Sequence, residues 1–399
     1  MRILTIVDLP WDARLGAVRI LMELARAWEA AGHEVAHYCL GDAFPDKTSS
    51  PPRSAWRRLR FPLKAAAFVR KNAARFDVID AILGSLAVPK ARLNFNGVLV
   101  ARSIGSHRLY RDFETLARQR WSDYFASPAR TGKKSGKIFY TYFQRRLFRN
   151  AEKALQYCDL VNVPNETELE SFGKTKPAII QPYGLSQQWL LNEEAVSPEK
   201  RLAQQKISFI GMWSLRKGAR DWAEIIRHVR AAVPTARFKF LGTMTDKERV
   251  FRDLNVSSCD WIEIVPEYQP GELRDLLADA TLGAFPSYAE GFGLGLLEQL
   301  ASGIPTVAYD APGPRSILRG TLPEFLVPVG NVESLSARLI EILSADLASY
   351  RQLVERCQQT ASGFSWPVIA RETIAQYETY FARVRRGRSF GNEVDDIGT

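Results

Sequence analysis

Two carboxylates, Glu290 and Glu298, stand eight positions apart with three glycines, Gly291, Gly293 and Gly295, between them. Upstream, Thr281-Leu282-Gly283-Ala284-Phe285-Pro286 reads as a short buried strand. Downstream, Leu296 to Ser302 reads as a helix closed by Gly303, with Pro305 soon after. The glycines therefore fall where a strand turns into a helix N-terminus. There, backbone N–H groups without intrahelical partners and the positive end of the helix dipole suit a diphosphate. Glu290 precedes the helix and Glu298 lies in its second turn, so the pair can hold different parts of one ligand crossing the helix end. Carboxylates accept hydrogen bonds from sugar hydroxyls, and the ligand chemistry that fits is a sugar joined to a nucleotide diphosphate. Arg216 and Lys217 follow the strand pattern Ile207-Ser208-Phe209-Ile210-Gly211 and precede a helix. Strand-to-helix loops of this kind are where phosphates bind in parallel sheets.

These residues need a scaffold of alternating strands and helices. A chain of 399 residues, 46% hydrophobic, is long enough for two cores. The first half predicts strands at Arg2–Asp8, Glu34–Cys39, Asp77–Leu83, Val98–Arg102, Asp159–Pro164 and Ala178–Gln181. A helix over about Ala17–Ala31 presents Leu21, Leu24, Ala25 and Trp28 on one face and stops at Gly32. Residues 127–137 read as a mobile loop. A polar stretch from Leu185 to Lys206 separates the halves. The second half predicts strands at Ile207–Gly211, Arg237–Leu241, Trp261–Val265, Thr281–Phe285 and Thr306–Tyr309. Helices are expected at Glu333–Leu343, Tyr350–Ala361 and Pro367–Val384, and a disordered tail from Arg385. The pattern is α/β, with two parallel sheets and a ligand at the carboxyl ends of their strands.

The net charge of +10 is unevenly spread. Residues 1–200 carry 31 Lys and Arg against 20 Asp and Glu, and residues 201–399 carry 23 against 24. Arg53 to Arg75 holds eight basic and no acidic residues, interleaved with Trp56, Phe61 and Phe68. Arg102 to Lys153 holds 13 basic against four acidic residues. There, Phe139, Tyr140, Tyr142, Phe143 and Phe148 alternate with Arg145, Arg146 and Arg149. Basic, aromatic-rich amphipathic helices suit an anionic membrane surface. No RNA- or DNA-binding motif accompanies the charge, so nucleic acid is not the expected partner. The four cysteines, Cys39, Cys158, Cys259 and Cys357, form no C-x-x-C pair, which argues against a zinc site or disulfide framework. No signal peptide and no membrane-spanning run is read, so the expected location is the cytoplasm, peripherally at the inner face of the cytoplasmic membrane.

Several signals in fixed order make the chain resemble the family-4 retaining glycosyltransferases of the GT-B fold. They are Phe209-Ile210-Gly211 leading to Arg216-Lys217-Gly218, then Phe240-Leu241-Gly242, then Pro286 to Gly293, then Glu298-Gln299-Leu300-Ala301-Ser302-Gly303-Ile304-Pro305. In the N-terminal half the resemblance rests on the first strand, a loop containing Gly16, and Gly32-His33-Glu34-Val35. It implies two Rossmann-like domains facing a central cleft, with an acceptor-side domain over 1–185 and a donor-binding domain over 186–366. It also implies a C-terminal helix over about 367–386 crossing back to the first domain, ahead of a tail at 387–399.

The resemblance also implies roles. Glu298 would hold the ribose hydroxyls, and Glu290 would face the donor sugar near the transferred carbon. The amides of Phe292, Gly293 and Leu294 would meet the sugar or diphosphate, and Gly211 would end the first strand of the donor domain. Lys217, helped by Arg216, would neutralise the diphosphate, and Gly16 would belong to a loop closing over the phosphates. Pro266, in Val265-Pro266-Glu267-Tyr268, would border the base pocket. The chain departs from the family at two places. Met212 follows Gly211 where many members have Arg, and Ile104 stands where members often carry His, in Arg102-Ser103-Ile104-Gly105-Ser106-His107. His107 is then the candidate for the missing imidazole.

The expected activity is metal-independent transfer of a sugar from a nucleotide-diphosphate donor, with retention, to a lipid-linked or otherwise anionic acceptor. Bacterial surface-polysaccharide or glycolipid assembly is the setting this suggests. A GT-B nucleotide-sugar epimerase and a catalytically silent sugar-nucleotide or lipid-binding protein are the alternatives.

Overall fold

The structure is a computed structural model of the 399-residue chain. It describes every residue except 47–49, 123–133, 174–175, 187–188, 190–195 and 393–399, and only the helical backbone of 134–140 and 387–392. The chain divides into two compact units. The first comprises 1–108, 118–182 and 366–399, and the second comprises 109–117 and 183–365.

The first unit is built on six parallel strands, β1 (Arg2–Val7), β2 (Glu34–Cys39), β3 (Val78–Ile82), β4 (Val98–Arg102), β5 (Leu160–Val163) and β6 (Ala178–Ile180). Their order in the sheet is β2-β1-β3-β4-β5-β6. Ile3 lies beside Val35 on one side and Val78 on the other, so β1 is a central strand. A strand covered on both faces has no polar alternation, which is why all but the first residue of β1 are buried. The helix Gly16–Ala30 lays Val18, Leu21, Leu24, Ala25 and Trp28 into this core.

The final helix, Trp366–Asn392, packs on the helix Gly16–Ala30, with the rings of Trp28 and Tyr377 6.1 Å apart. Tyr377 is buried and donates a hydrogen bond to Asp80 Oδ2 at 2.7 Å. Arg102 grips both oxygens of Asp80 at 2.7–3.0 Å, and both side chains are fully buried. This helix continues past the stop expected at Val384, because Arg385 and Arg386 are good helix formers and no proline intervenes. The remainder of the expected tail, 393–399, lies outside the described residues. Most of the loop expected over 127–137 also lies outside them. Its last residues open the helix Lys134–Tyr157 instead. A single glycine, Gly136, costs such a long helix only about 1 kcal/mol.

The second unit carries β7 (Lys206–Ile210), β8 (Arg237–Leu241), β9 (Ile262–Val265), β10 (Leu282–Phe285), β11 (Thr306–Tyr309) and β12 (Leu326–Val327). All pairings are parallel, in the order β12-β11-β10-β7-β8-β9. The two-residue β12 is too short to leave a periodic signal in the sequence. Phe209, Trp222 and Phe240 interlock edge-on at 4.9–5.6 Å or tilted at 6.1 Å and anchor the core under β7 and β8. Chain order runs outward in opposite directions from β7 and β10. The loops leaving these two neighbouring strands therefore diverge and open a crevice at the carboxyl edge, the usual ligand position in such sheets.

Candidate functional site

Both loops at that crevice carry charged residues named from the sequence. After β7, Gly211 bonds to Leu241 through its N–H at 2.9 Å, and the chain enters a tight turn, Leu215–Lys217, ended by Gly218. Gly218 has φ 77°, and a Cβ there would lie 2.2 Å from the Pro286 carbonyl oxygen. Only glycine lets the β7 loop lie this close to the loop after β10. The two are also tied by Tyr288 N–H donating to the Arg216 carbonyl at 2.9 Å.

The β10 loop ends at Gly293, the residue before the helix Leu294–Ala301. Its φ of 101° is open to glycine at little cost. The sequence expectation of a strand turning through glycines into a helix N-terminus describes what is found. The helix starts two residues earlier than Leu296, since Leu294 and Gly295 can follow a glycine cap directly.

Lys217, Arg216 and Glu290 converge. Lys217 Nζ donates to Glu290 Oε2, and Arg216 stands 3.5 Å from the same oxygen while donating to the Ala289 carbonyl at 2.9 Å. The side chains of Lys217 and Glu290 are 12% and 14% exposed, so the cluster is sheltered but open. Burial pulls the Lys217 ammonium below the usual lysine value, partly offset by Glu290 and reinforced by Arg216. Burial also works against ionisation of Glu290, yet Lys217 and Arg216 outweigh it and hold the carboxyl below its usual range. Lys217 also sits 4.7 Å from the centre of the Phe285 ring, and Arg216 lies 5.2 Å from that of Tyr110. Met212, where the resemblance leads one to expect Arg, is 53% exposed, while Arg216 stands beside Glu290.

The other residues expected from the sequence to meet a donor differ in exposure. Glu298 is 3% exposed in the second turn of the helix. The Phe292 ring is buried against Tyr183 at 5.0 Å and Phe364 at 5.8 Å, which leaves its backbone rather than its side chain for a ligand. Leu294 is half-buried in the first turn. Pro266 follows β9, two strands away from β7, and its carbonyl accepts from Met244 N–H at 3.0 Å.

Asp221, not singled out in the sequence, organises the site from beneath. It is 6% exposed and accepts hydrogen bonds on Oδ2 from Tyr288 at 2.8 Å and Tyr309 at 2.6 Å. It stands just before the helix Trp222–Ala232, so one carboxylate links the end of the Lys217 turn, the β10 loop and the end of β11. Its place before a helix was readable, but its tyrosine partners lie 67 and 88 positions on.

Gly16 and His107 belong to the first unit. Gly16 opens the helix Gly16–Ala30 with ordinary φ and empty space where a Cβ would stand. His107 opens the helix His107–Arg120 and meets Glu152 through Nε2 at 2.8 Å, its ring edge-on to Phe148 at 4.7 Å. Arg108 grips the same carboxylate at 2.8 and 3.0 Å. It is the first cause that holds Glu152 below the usual carboxylate range. Ile104 packs against the apolar cluster of Val7, Val18, Leu21 and Cys39, so a side chain that fills space stands where the resemblance leads one to expect an imidazole. The loop carrying it is held by Glu168, which accepts from Ser103 Oγ and, at 2.8 Å, from Ser106 N–H. Burial pushes the Glu168 carboxyl up to about 7, against the pull of these two bonds. Among the described residues, His37, Cys39 and Asp42 bring potential ligand atoms within 4.8 Å of one another at the edge of the first sheet. His37 is stacked on Trp11 and Asp42 accepts from the Cys39 N–H, so local structure accounts for the trio.

Fold and site together define a GT-B protein with a phosphate-suited crevice in its second unit. Residues 204–345 match the family described as Glycosyl transferases group 1, and the second unit therefore carries a family-4-type glycosyltransferase domain. Among curated relatives, the chain is 32% identical over 146 residues to an MMP alpha-(1->4)-mannosyltransferase of Mycolicibacterium hassiacum, a match covering 34% of this chain and 33% of that protein. The chain thus spans about a third or less of the length of these curated relatives. In fold it is similar to a sucrose-phosphate synthase from Thermosynechococcus elongatus, with TM-score 0.72, 18% identity and coverage of 96% of this chain and 100% of the other. It is also similar to Anabaena Alr3699/HepE in complex with UDP, with TM-score 0.64, 16% identity and coverage of 95% and 100%. No helix among the described residues is long and apolar enough to cross a membrane.

Proposed function

We propose that this chain is a retaining glycosyltransferase that moves a sugar from a nucleotide-diphosphate donor to an acceptor hydroxyl. The observation that carries the reading is the meeting of Glu290 with Lys217 and Arg216 beside a glycine-capped helix N-terminus, at the carboxyl edge of β7 and β10. In this reading Glu298 holds the ribose and Glu290 the sugar near the transferred carbon. The backbone of Phe292, Gly293 and Leu294 meets the sugar or diphosphate, and Gly211 and Pro266 border the nucleotide. The acceptor oxygen bonds to the anomeric carbon on the face from which the diphosphate departs. The bond from that carbon to the phosphate oxygen breaks, and the acceptor proton passes to the departing phosphate. Lys217, Arg216 and the helix N-terminus stabilise the charge that grows there. These cations do the work a divalent ion would otherwise do, so activity is expected to survive a chelator.

The charge surplus of the first 200 residues supports a lipid-linked or otherwise anionic acceptor, as in surface-polysaccharide or glycolipid assembly, handled at an anionic membrane face. The direct test screens nucleotide-diphosphate sugars by thermal shift, then determines the anomeric configuration of the product with the stabilising donor. Retention supports the reading and inversion removes it. The apolar packing of Ile104 and the engagement of His107 by Glu152 favour one rival, a sugar-nucleotide-binding protein without turnover. Donor binding with neither transfer nor slow donor hydrolysis would select it.

A further inference from the structure

The basic run Arg53 to Arg75 folds into the helix Pro51–Asn72 and the turn that follows it, and the structure sorts its charges into two sets. Arg57 is buried and bonded to Asp46, and Arg58 is held by Asp8 at 2.8 Å. Phe61 is buried in the first core and Phe68 packs against it. These members of the run belong to the fold. The second set faces outward: Arg53, Arg60, Lys64, Arg70, Lys71 and Arg75 are exposed, and none of them meets a carboxylate among the described residues. With them stand Trp56, 47% exposed, and Leu63, 65% exposed. Positions 53, 56, 60, 63, 64, 67, 70, 71 and 74 follow the helical period, so cations and large apolar side chains share one stripe. Arg60 lies over the Trp56 ring at 4.7 Å, and a groove of about 1020 Å³ runs between this stripe and Phe44.

We infer that this stripe is a docking surface for an anionic phospholipid bilayer. It gives the lipid-linked acceptor of the proposed function a surface to be met on, but it does not rest on the donor-site reading. Charge complementarity selects a polyanion, because six cations and no acidic residue lie along the outward face of the run. Leu63 and Trp56 add what a polynucleotide does not ask for, an apolar edge placed among the cations. Their long basic neighbours keep their heads at headgroup level while the indole and isobutyl groups enter the interface. The helix of 22 residues is about 33 Å long, a strip for many headgroups rather than a pocket for one small anion. Asp46, at the rim of the groove, is neutralised by Arg57 and does not oppose the match.

The full chain, mixed with vesicles of phosphatidylcholine alone or with phosphatidylglycerol added, tests this by co-flotation. Binding is expected only to the anionic vesicles and is expected to weaken in high salt. Each basic residue at such a surface contributes roughly fivefold in partitioning, so Arg53→Gln, Arg60→Gln and Lys64→Gln together should lower it about a hundredfold. Trp56→Ser with Leu63→Ser should remove the fraction of binding that survives high salt. As a control, Arg227→Gln, Lys247→Gln and Arg252→Gln remove the same charge from exposed positions of the second unit and should change partitioning less than threefold. Equal loss in the control set would reduce the effect to net charge and overturn the assignment. So would binding of RNA that competes fully with vesicles and ignores the Trp56 and Leu63 changes. Nucleotide-diphosphate binding, measured by thermal shift in each variant, reports folding and the donor site separately, so failure of either reading is visible without the other.

Discussion

The two units hold charged clusters of opposite character. In the first, Asp80 and Arg102 are 0% exposed and closed over by Tyr377. In the second, Glu290 and Lys217 are 14% and 12% exposed, with Arg216 at 29%. The first sits on neighbouring strands of a parallel sheet and the second on loops that leave one, and both pair a carboxylate with a guanidinium or ammonium. The difference is access. A pair sealed from water serves the fold, since nothing can replace its partners. A pair at the rim of a crevice can exchange its partners for a ligand's phosphates and hydroxyls.

The comparison breaks most readily at Asp80. Asp80→Ala leaves Arg102 buried beside no carboxylate and should lower stability by about 3–5 kcal/mol in denaturant titration. Lys217→Ala should instead leave the denaturation midpoint nearly unchanged, because water reaches Glu290 and Arg216 remains beside it. Its cost should fall on turnover, about 2.7–4 kcal/mol or 100- to 1000-fold in kcat. If Lys217→Ala destabilised the chain as much as Asp80→Ala, the distinction between sealed and open pairs would fail. Glu298→Gln sharpens the open side: a lost charge-assisted bond to ribose should weaken donor binding by about 1.5–3 kcal/mol, read by calorimetry with the nucleotide diphosphate.

The smallest effect is set by pH. Glu168 is raised from 4.5 to about 7 in the folded chain, so folding favours its protonated form. The stability it contributes is complete below about pH 4.5 and is lost as pH rises through 7, by roughly 1–3 kcal/mol. Glu168→Gln, which keeps an acceptor for Ser103 and Ser106, should flatten that part of the stability–pH curve. An unchanged slope between pH 5 and 8 would assign the dependence elsewhere.

What was legible in the sequence followed local rules. All eleven expected strands lie within one residue of their observed ends or share them, because buried parallel strands show as apolar runs. The turn at Gly293 was readable because glycine, strand and helix signals sit side by side. Partnerships across the chain were not. Lys217 and Glu290 are 73 positions apart, and Arg102 and Tyr377 are 275 apart. Charge runs were the least informative. Arg57 and Arg60 look alike in the sequence, yet one is buried against Asp46 and the other lies exposed on Trp56. The side chains of Phe139 and Tyr140, grouped with them at first, lie outside the described residues.

The return of the chain's last helix to the first unit has a consequence for biosynthesis. Tyr377 hydrogen-bonds both Asp80 and Arg102, and it leaves the ribosome nearly three hundred residues after Asp80. Translation therefore delivers the whole of 183–365 before the first unit has its final helix. The usual rule that N-terminal domains mature first is reversed here. A nascent chain stalled short of Trp366 would hold one finished half and one that still waits for its closing piece.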